Sequence, residues 1–304
     1  MAPEAPVVRT EHLAKSYGSA RGIVDVSFDV RAGEVFGFLG PNGAGKTTTI
    51  RTLLGFIRAS GGSASVFGLD VSEGGLKIRR RTGYLPGDVA LYERMTPAQL
   101  FAYLGALRGG VDQDRIDHLV RRFGLDTSKR IEDLSHGNRQ KVALIQAFMH
   151  DPELVVMDEP TQGLDPLIQQ EFFRLVAETK AAGRTIVLSS HVLSEVERVC
   201  DRVAIIREGV VVRVEHVADL TAKAVRHLDI RFDGAVPEAD LRTIEGVRDL
   251  VVAGSAVRCA LVGPIDPLLK ELARHRVVDL VAEKPSLEEV FLEFYEDGDE
   301  RTRS

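Results

Sequence analysis

The sequence contains no tryptophan, only two cysteines, and aromatic residues at 6% of its 304 positions. Cys200 and Cys259 lie in separate segments, and isolated thiols of this kind indicate small buried side chains in a reducing compartment, not a disulfide framework. No apolar run approaches the roughly 18 residues that a membrane-spanning helix needs. Residues 1–6 lack the basic start and apolar centre of a secretory signal peptide, so we expect a cytoplasmic protein.

An excess of positive charge is also missing from this chain. The 39 basic and 45 acidic residues give a net charge of −6, which argues against nucleic acid as the main partner. The hydrophobic content of 44% and the charged content of 28% are typical of globular proteins. The length predicts about two domains, each able to bury its own core.

A glycine-rich segment follows the apolar run 35–39 and precedes a helical pattern over 47–56. It consists of Gly40, Pro41, Asn42, Gly43, Ala44, Gly45, Lys46, Thr47 and Thr48. A buried strand that runs through such a loop into a helix is the context in which this pattern binds phosphate, because backbone N–H groups and the helix start converge on the anion. The pattern predicts Lys46 on the β- and γ-phosphates and the Thr47 hydroxyl on magnesium.

Two carboxylates end a second apolar run, 154–159. A continuous apolar run indicates a strand covered on both faces, as in a parallel sheet. Ligands of open α/β sheets bind outside the carboxyl ends of the strands, so we expect Asp158 and Glu159 near the phosphate loop. His191 follows the predicted strand 185–188 at the same edge. Tyr17, predicted on a loop, offers a ring that could stack on adenine, and the alternative is an ordinary half-buried loop residue.

The remaining segments predict an α/β fold followed by a smaller α+β part. Strands at 7–14, 23–30 and 34–39 predict a largely antiparallel opening sheet. Helices dominate about 88–150; a capping box at Thr96 opens one of them, and Gly124 ends another that is predicted over 114–123. Beyond 219 the predicted order is β-α-β-β-α-β with a terminal helix, which fits a split βαβ, ferredoxin-like domain. Its predicted elements are strands 227–233, 247–253, 256–262 and 277–282 and helices 238–244, 267–274 and 286–295, the last opened by a capping box at Ser286.

Five motifs in this order resemble the ATP-binding subunit of ABC transporters. They are 40–47, 134–140 (Leu-Ser-His-Gly-Asn-Arg-Gln), 154–159, 163–166 (Gly-Leu-Asp-Pro) and His191. The resemblance covers about 5–215 and implies a P-loop NTPase core of the ABC ATPase type, with a mixed sheet, an antiparallel β subdomain and a helical subdomain. It places this ATP-binding domain at 1–218 and a small C-terminal domain at 219–304. Residues 285–292 resemble the C-terminal extension of bacterial drug- and antibiotic-export ATPases.

The resemblance also implies a role for each motif. Asp158 resembles the magnesium-holding acid, Glu159 the general base that polarises the attacking water, and His191 the histidine that contacts the γ-phosphate. Asp165 resembles the residue that communicates across the subunit interface. Residues 134–140, here called the signature loop, would close over the ATP of a facing subunit, either a second copy or a paralogue, in a head-to-tail dimer. The signature residues concerned are Leu134, Ser135, His136, Gly137 and Asn138.

Two positions depart from the family pattern. His136 stands where glycine is usual, and it is interpreted either as a further donor near phosphate or as a tolerated surface substitution. Gly87, followed by Asp88, stands where the family has a glutamine that touches magnesium and lies near the membrane subunit. Asp88 is interpreted either as a substitute oxygen ligand or as a plain loop acid, so the departure concerns coupling to the membrane subunit more than ATP hydrolysis.

The leading hypothesis is an ATPase that powers export of a drug, antibiotic or other small hydrophobic compound through a separate membrane-spanning permease. Such a subunit would bind ATP and magnesium and lie in the cytoplasm, peripheral on the inner face of the cell membrane. One alternative is an ABC-type clamp on ribosomes or DNA, although this chain has one ATPase half and only a short helical stretch before the signature loop. Another is an importer ATPase with a regulatory C-terminal domain, for which an all-strand barrel would be expected.

Overall fold

The computed structural model of the chain describes residues 5–18, 20–223 and 225–283. Contacts between Cα atoms divide the chain into two compact units, with the division between Glu215 and His216. The predicted helix 286–295, its capping box at Ser286 and the export-type segment 285–292 lie outside the described residues. None of the helices described is long and apolar enough to cross a membrane.

A ten-stranded mixed sheet forms the first unit. Its strands are β1 (Val8–Tyr17), β2 (Ala20–Val30), β3 (Val35–Leu39), β4 (Gly61–Val66), β5 (Leu69–Asp70), β6 (Thr82–Leu85), β7 (Leu154–Asp158), β8 (Thr185–Ser190), β9 (Arg202–Arg207) and β10 (Val210–His216). They lie in the order β5-β4-β1-β2-β10-β9-β3-β8-β7-β6. The β5-β4-β1-β2 end is antiparallel, whereas β3, β6, β7, β8 and β9 pair in parallel.

The prediction that 34–39 belongs to the antiparallel opening sheet is wrong. β3 pairs in parallel with β8 and β9, which follow much later in the chain. All five residues of β3 are buried, so both faces of this strand are covered. A strand buried on both faces takes its place in the parallel centre of the sheet and not beside its neighbour in sequence, β2.

Seven α-helices surround this sheet within the described part of the first unit. They are α1 (Lys46–Leu53), α2 (Val71–Arg81), α3 (Pro97–Leu107), α4 (Gln113–Phe123), α5 (His136–Phe148), α6 (Pro166–Ala181) and α7 (Leu193–Val199), with a 3-10 turn at Ile131–Asp133. The predicted capping box at Thr96 is confirmed, since its side chain accepts from the Gln99 N–H. The predicted stop of α4 is also confirmed, because Gly124 has the left-handed backbone of a helix C-terminus.

The buried centre of the sheet brings the predicted motifs to one edge. Every residue of β3, β7 and β8 is buried, and the ring of Phe36 in β3 stacks on that of Phe28 in β2 with centroids 5.2 Å apart. In the parallel ladder Leu39 lies opposite Ser190, and Asp158 lies opposite Ser189. The carboxyl ends of the three strands therefore align where α1 begins.

A four-stranded antiparallel sheet forms the second unit. Its elements are α8 (Val217–Lys223), β11 (Arg226–Phe232), α9 (Glu238–Arg242), β12 (Val247–Ala253), β13 (Ala256–Leu261), α10 (Asp266–Leu272) and β14 (Val277–Ala282), with strand order β12-β13-β11-β14. Alternate residues of β11, Leu228, Ile230 and Phe232, enter a core of their own. The sequence did not predict α8. That 219–304 is an independent, ferredoxin-like domain stays a prediction.

Candidate active site

The phosphate loop joins the end of β3 to the start of α1. Gly45 has a φ of 110°, and a β-carbon there would lie 2.6 Å from Cγ2 of Ile23, so this position admits only glycine. The Ala44 carbonyl accepts from the Gly209 N–H at 2.9 Å. The loop is therefore held both by its own backbone and by the turn between β9 and β10.

The Lys46 side chain folds back onto this loop. Its side chain is only 6% exposed, and its Nζ donates to the carbonyls of Gly40 at 2.6 Å and Pro41 at 3.1 Å. The same Nζ lies 3.1 Å from Oε1 of Glu159. The ammonium thus links the phosphate loop with the acid that follows β7.

Asp158 ends β7 with both carboxylate oxygens engaged. Oδ2 accepts from the Thr47 hydroxyl at 2.6 Å, and Oδ1 accepts from the Ser189 hydroxyl at 2.5 Å. Asp158 is 2% exposed. Burial, and next the negative charge of Asp158, raise the pKa of the Tyr84 hydroxyl on the neighbouring strand β6.

Glu159 leaves the strand in a left-handed backbone conformation, with a φ of 50°. Its N–H donates to the carbonyl and to the hydroxyl of Ser189, both at 3.2 Å. Its Oε2 lies 2.7 Å from Nδ1 of His191, while Oε1 is close to Lys46 without hydrogen-bond geometry. The carboxylate consequently lies between an ammonium and an imidazole, and its buried Oε1 accepts no hydrogen bond from any residue within 5–18, 20–223 and 225–283.

These residues fit a nucleoside triphosphate with magnesium. The Thr47 hydroxyl and Asp158 carboxylate are 2.6 Å apart, and hard oxygen ligands of this kind suit Mg²⁺. Gly45, where a β-carbon would clash, is the N-cap of α1, and the N–H groups at a helix N-terminus suit an anion. Oε1 of Glu159, which accepts no hydrogen bond from the described residues, offers an acceptor for a water proton.

The signature loop is joined to another part of the chain. Ser135 caps α5, its hydroxyl accepting from the Asn138 N–H at 3.4 Å. The ring of His136 lies over Gly163, where an added β-carbon would meet its Cδ2 at 2.5 Å. Asp165 caps α6 through the N–H groups of the next turn. Across the described ranges, no hydrogen bond or ion pair links Leu134, Ser135, His136, Gly137 or Asn138 with the phosphate loop.

Three further predicted residues take different positions. The prediction that Tyr17 lies on a loop is wrong: Tyr17 is the last residue of β1 and pairs with Ala20 of β2. Its side chain is 46% exposed. Gly87 lies beside the magnesium-type pair, since a β-carbon there would be 3.4 Å from Oδ2 of Asp158. Asp88 is exposed.

Sequence reasoning missed the buried hydroxyl side chains at the end of β8, of which Ser189 hydrogen-bonds to both Asp158 and Glu159. Ser189 and Ser190 are fully buried at the end of β8, which was predicted to end at Leu188. Two serines between an apolar run and a histidine are a readable signal, because polar residues at a strand's carboxyl end face the site. Thr161 and Glu195, which are hydrogen-bonded to each other, carried no such signal.

The ABC transporter family matches residues 23–162. The linearmycin resistance ATP-binding protein LnrL of Bacillus subtilis is 30% identical over 94% of this chain and 97% of its own length. The bacitracin transport ATP-binding protein BcrA of Bacillus licheniformis is 37% identical over 67% of each chain. A solved ATP-binding subunit of an ABC transporter, 33% identical, superposes with a TM-score of 0.65 over 70% of this chain and 91% of that one. The chain therefore belongs to the ATP-binding proteins of ABC transporters, a family of ATP-hydrolysing enzymes.

Proposed function

We propose that this chain hydrolyses ATP to power export through a separate membrane-spanning permease, on the inner face of the cell membrane. The observation that carries the proposal is the Glu159 carboxylate, held between Lys46 and His191 beside the Thr47–Asp158 pair. An acid flanked by a phosphate-binding lysine and a histidine is suited to phosphoryl transfer, which depends on positioning and charge neutralisation.

Each side chain has one task in this proposal. Lys46 and the backbone N–H groups of 40–48 bind the β- and γ-phosphates, and Thr47 and Asp158 hold magnesium, which neutralises phosphate charge when bound. Glu159 orients the attacking water and accepts its proton at the carboxylate. His191, hydrogen-bonded to Glu159, donates to the γ-phosphate. Tyr17 offers its exposed ring to adenine.

The second half of the site comes from a facing subunit. Ser135 and the start of α5 form a capped helix N-terminus, which suits an anion, and they make no hydrogen bond to the phosphate loop of their own chain within the described residues. We infer an ATP-dependent head-to-tail dimer in which this end closes over the partner's γ-phosphate. Both halves are intact in this chain, which favours two copies of it over a pair with a paralogue.

Relatives named for bacitracin transport and linearmycin resistance favour an antibiotic or other small hydrophobic compound as cargo. The second unit supports an exporter over the importer alternative, because it contains helices α9 and α10 with its sheet and is not an all-strand barrel. Gly87 and Asp88 lie in the loop that would face the permease. The missing glutamine side chain at Gly87 leaves contact with the permease to backbone and neighbouring residues.

Replacing the general base tests this function. Glu159→Gln should lower the ATP hydrolysis rate by at least about 100-fold, because the amide cannot accept the water's proton. ATP affinity should stay within about threefold, since Lys46 and the loop remain, and the dimer should persist in Mg-ATP. The measurements are phosphate release, nucleotide titration and size-exclusion chromatography with light scattering. Glu73→Gln is the control, because it neutralises an exposed acid in the first turn of α2.

The transport step needs its own readout. Co-expression with a candidate permease, a multi-helix membrane protein encoded beside this chain, should allow the two chains to be purified together, and Glu159→Gln should abolish resistance or efflux in cells. Unchanged transport in that variant would contradict the proposal. So would a wild-type chain that neither hydrolyses Mg-ATP nor pairs when Glu159 is replaced.

A further inference from the structure

A carboxylate behind the active site joins two of its segments. Glu195 lies in the first turn of α7, and each of its oxygens accepts a hydrogen bond from a different part of the chain. Oε1 accepts from the Thr161 hydroxyl at 2.5 Å, and Oε2 accepts from the Ser190 hydroxyl at 2.8 Å. Thr161 is 7% exposed and Ser190 is fully buried, so water competes little for these bonds.

The two hydroxyl groups belong to the segments that carry Glu159 and His191. Thr161 follows Glu159 by two residues, and Ser190 immediately precedes His191. The Ser190 hydroxyl also accepts from the Val192 N–H at 2.9 Å, which fixes the backbone on the far side of His191. Glu195 is therefore connected through one short step to the backbone of each catalytic candidate.

Neither segment is held firmly by its own secondary structure. Glu159 has left the β7 ladder and has a left-handed backbone that is unfavourable for a residue with a side chain. His191 lies past the end of β8, and the α7 helix that follows has no side-chain cap at Val192. Apart from the two hydrogen bonds from the Glu159 N–H to Ser189 of β8, the 2.7 Å contact between Glu159 and His191 consequently depends on groups outside both strands.

We propose that Glu195 is a positioning residue for ATP hydrolysis, whose carboxylate holds the Glu159 and His191 segments in register through Thr161 and Ser190. This inference rests on the roles proposed above for Glu159 and His191. It assigns Glu195 no contact with nucleotide or magnesium. Its loss should leave the phosphate loop intact while the acid and the imidazole separate.

A merely structural carboxylate would behave differently. An acid in a first helical turn stabilises the helix through its charge, and Asp would do so as well as Glu. The proposed bridge instead depends on the length of the Glu195 side chain, because both carboxylate oxygens must contact hydroxyl groups on separate segments. Glu195→Asp keeps the charge and shortens the side chain by one methylene, so it distinguishes the two roles.

The test is steady-state ATP hydrolysis by the full chain with Mg-ATP. Glu195→Asp and Glu195→Ala should each lower kcat by about tenfold or more, with KM and nucleotide affinity within about twofold of wild type. Thr161→Val should lower kcat similarly, and Thr161→Val combined with Glu195→Ala should lose little more than either change alone, because both act through one bridge. Glu73→Gln, which removes an exposed first-turn acid from α2, should leave kcat unchanged.

The outcomes separate this inference from the proposed function. Wild-type kcat in Glu195→Asp, or fully multiplicative losses in the double variant, would overturn the inference while an inactive Glu159→Gln still supported the function. A Glu159→Gln variant that hydrolyses ATP at the wild-type rate would overturn both. If Glu195→Ala does not fold by circular dichroism, Thr161→Val, which removes only the hydroxyl, decides the question.

Discussion

At Gly163 the absence of a side chain makes room for an imidazole. The ring of His136 lies over this glycine, and the Gly163 carbonyl would be 3.0 Å from a β-carbon at Gly137. The residue that departs from the family's glycine pattern is thus packed against the loop that leads to Asp165. This contact connects the signature loop to the segment that follows Glu159 within one chain.

Gly163→Ala should cost more stability than its backbone angle alone explains. Gly163 and Gly183 have φ of 77° and 78°, but a β-carbon at Gly183 meets nothing within 4 Å. Urea unfolding of Gly183→Ala should show a loss of about 1 kcal/mol, and Gly163→Ala should lose about 0.5 kcal/mol more, because the exposed His136 ring must turn aside from the added methyl group. Adding His136→Ala to Gly163→Ala should remove most of the difference. Equal losses in the two glycine variants would refute the packing argument.

The candidate site was predictable at residues whose chemistry is local in sequence. The loop 40–48 carries its conformation in its own glycines, and Asp158 and Glu159 follow directly from an apolar strand. Glu195 was not predictable, because an acid in the first turn of a helix is common. Its partners are two hydroxyl side chains, one of them 34 residues away in sequence. Tyr17 was predicted on a loop because no local signal shows that β1 continues as far as Tyr17, which pairs with Ala20 of β2.

The end of α5 and the start of β6 meet at His150. Its Nε2 lies 3.3 Å from the Thr82 carbonyl, and its buried Nδ1 has no hydrogen-bond partner among the residues that the structure describes. Burial first, and then the charge of Arg108, lower the pKa of His150 from 6.5 to about 4. The neutral imidazole is therefore the form that joins this helix to this strand.

This histidine should make the fold sensitive to acid. Because the unfolded chain takes up the proton near pH 6.5 and the folded chain only near pH 4, its contribution to stability is complete above pH 6.5 and is lost as the pH falls toward 4. His150→Gln keeps a donor for Thr82 without titrating. Between pH 7 and 5, wild type should lose about 1 kcal/mol more than the variant in urea unfolding, after discounting for solvent at the ring. Parallel pH curves would show that His150 is not responsible.

Elements with end signals in sequence were predicted well, and those decided by distant partners were not. Thr96 and Gly124 mark a helix start and a helix end through their own hydrogen bonds and backbone, and the structure agrees. β3 was assigned to the wrong part of the sheet because its partners, β8 and β9, come from far along the chain. α8 covers only seven residues, too few for a periodic pattern to distinguish it in the sequence.

At the scale of the whole molecule, two hydrophobic cores are separate in sequence. One contains buried residues from Val8 to Ile206, and the other contains buried residues from Leu228 to Leu272. Each sheet takes its strands almost entirely from its own unit. A chain organised in this way is expected to fold in parts.

The first unit should therefore bind nucleotide without the second. The fragment 1–215 contains the phosphate loop, both acids and His191, together with the core that positions them. We expect a cooperative thermal transition and a nucleotide affinity within about threefold of the full chain, measured by calorimetric titration with Mg-ATP. A fragment carrying Lys46→Ala is the control for specific binding. An unfolded fragment would show that residues beyond Glu215 complete the first core.

The parallel register of β7 and β8 determines how a shift of strand pairing would affect the activity of this enzyme. Asp158 faces Ser189 only in one alignment, and sliding either strand by a single step would turn the acid toward the opposite side of the sheet. A misaligned copy would lose the Thr47–Asp158 pair and would therefore be inactive; it would not hydrolyse ATP without coupling it to transport. Changes of length are therefore expected to be tolerated in the surface turns but not within these two strands.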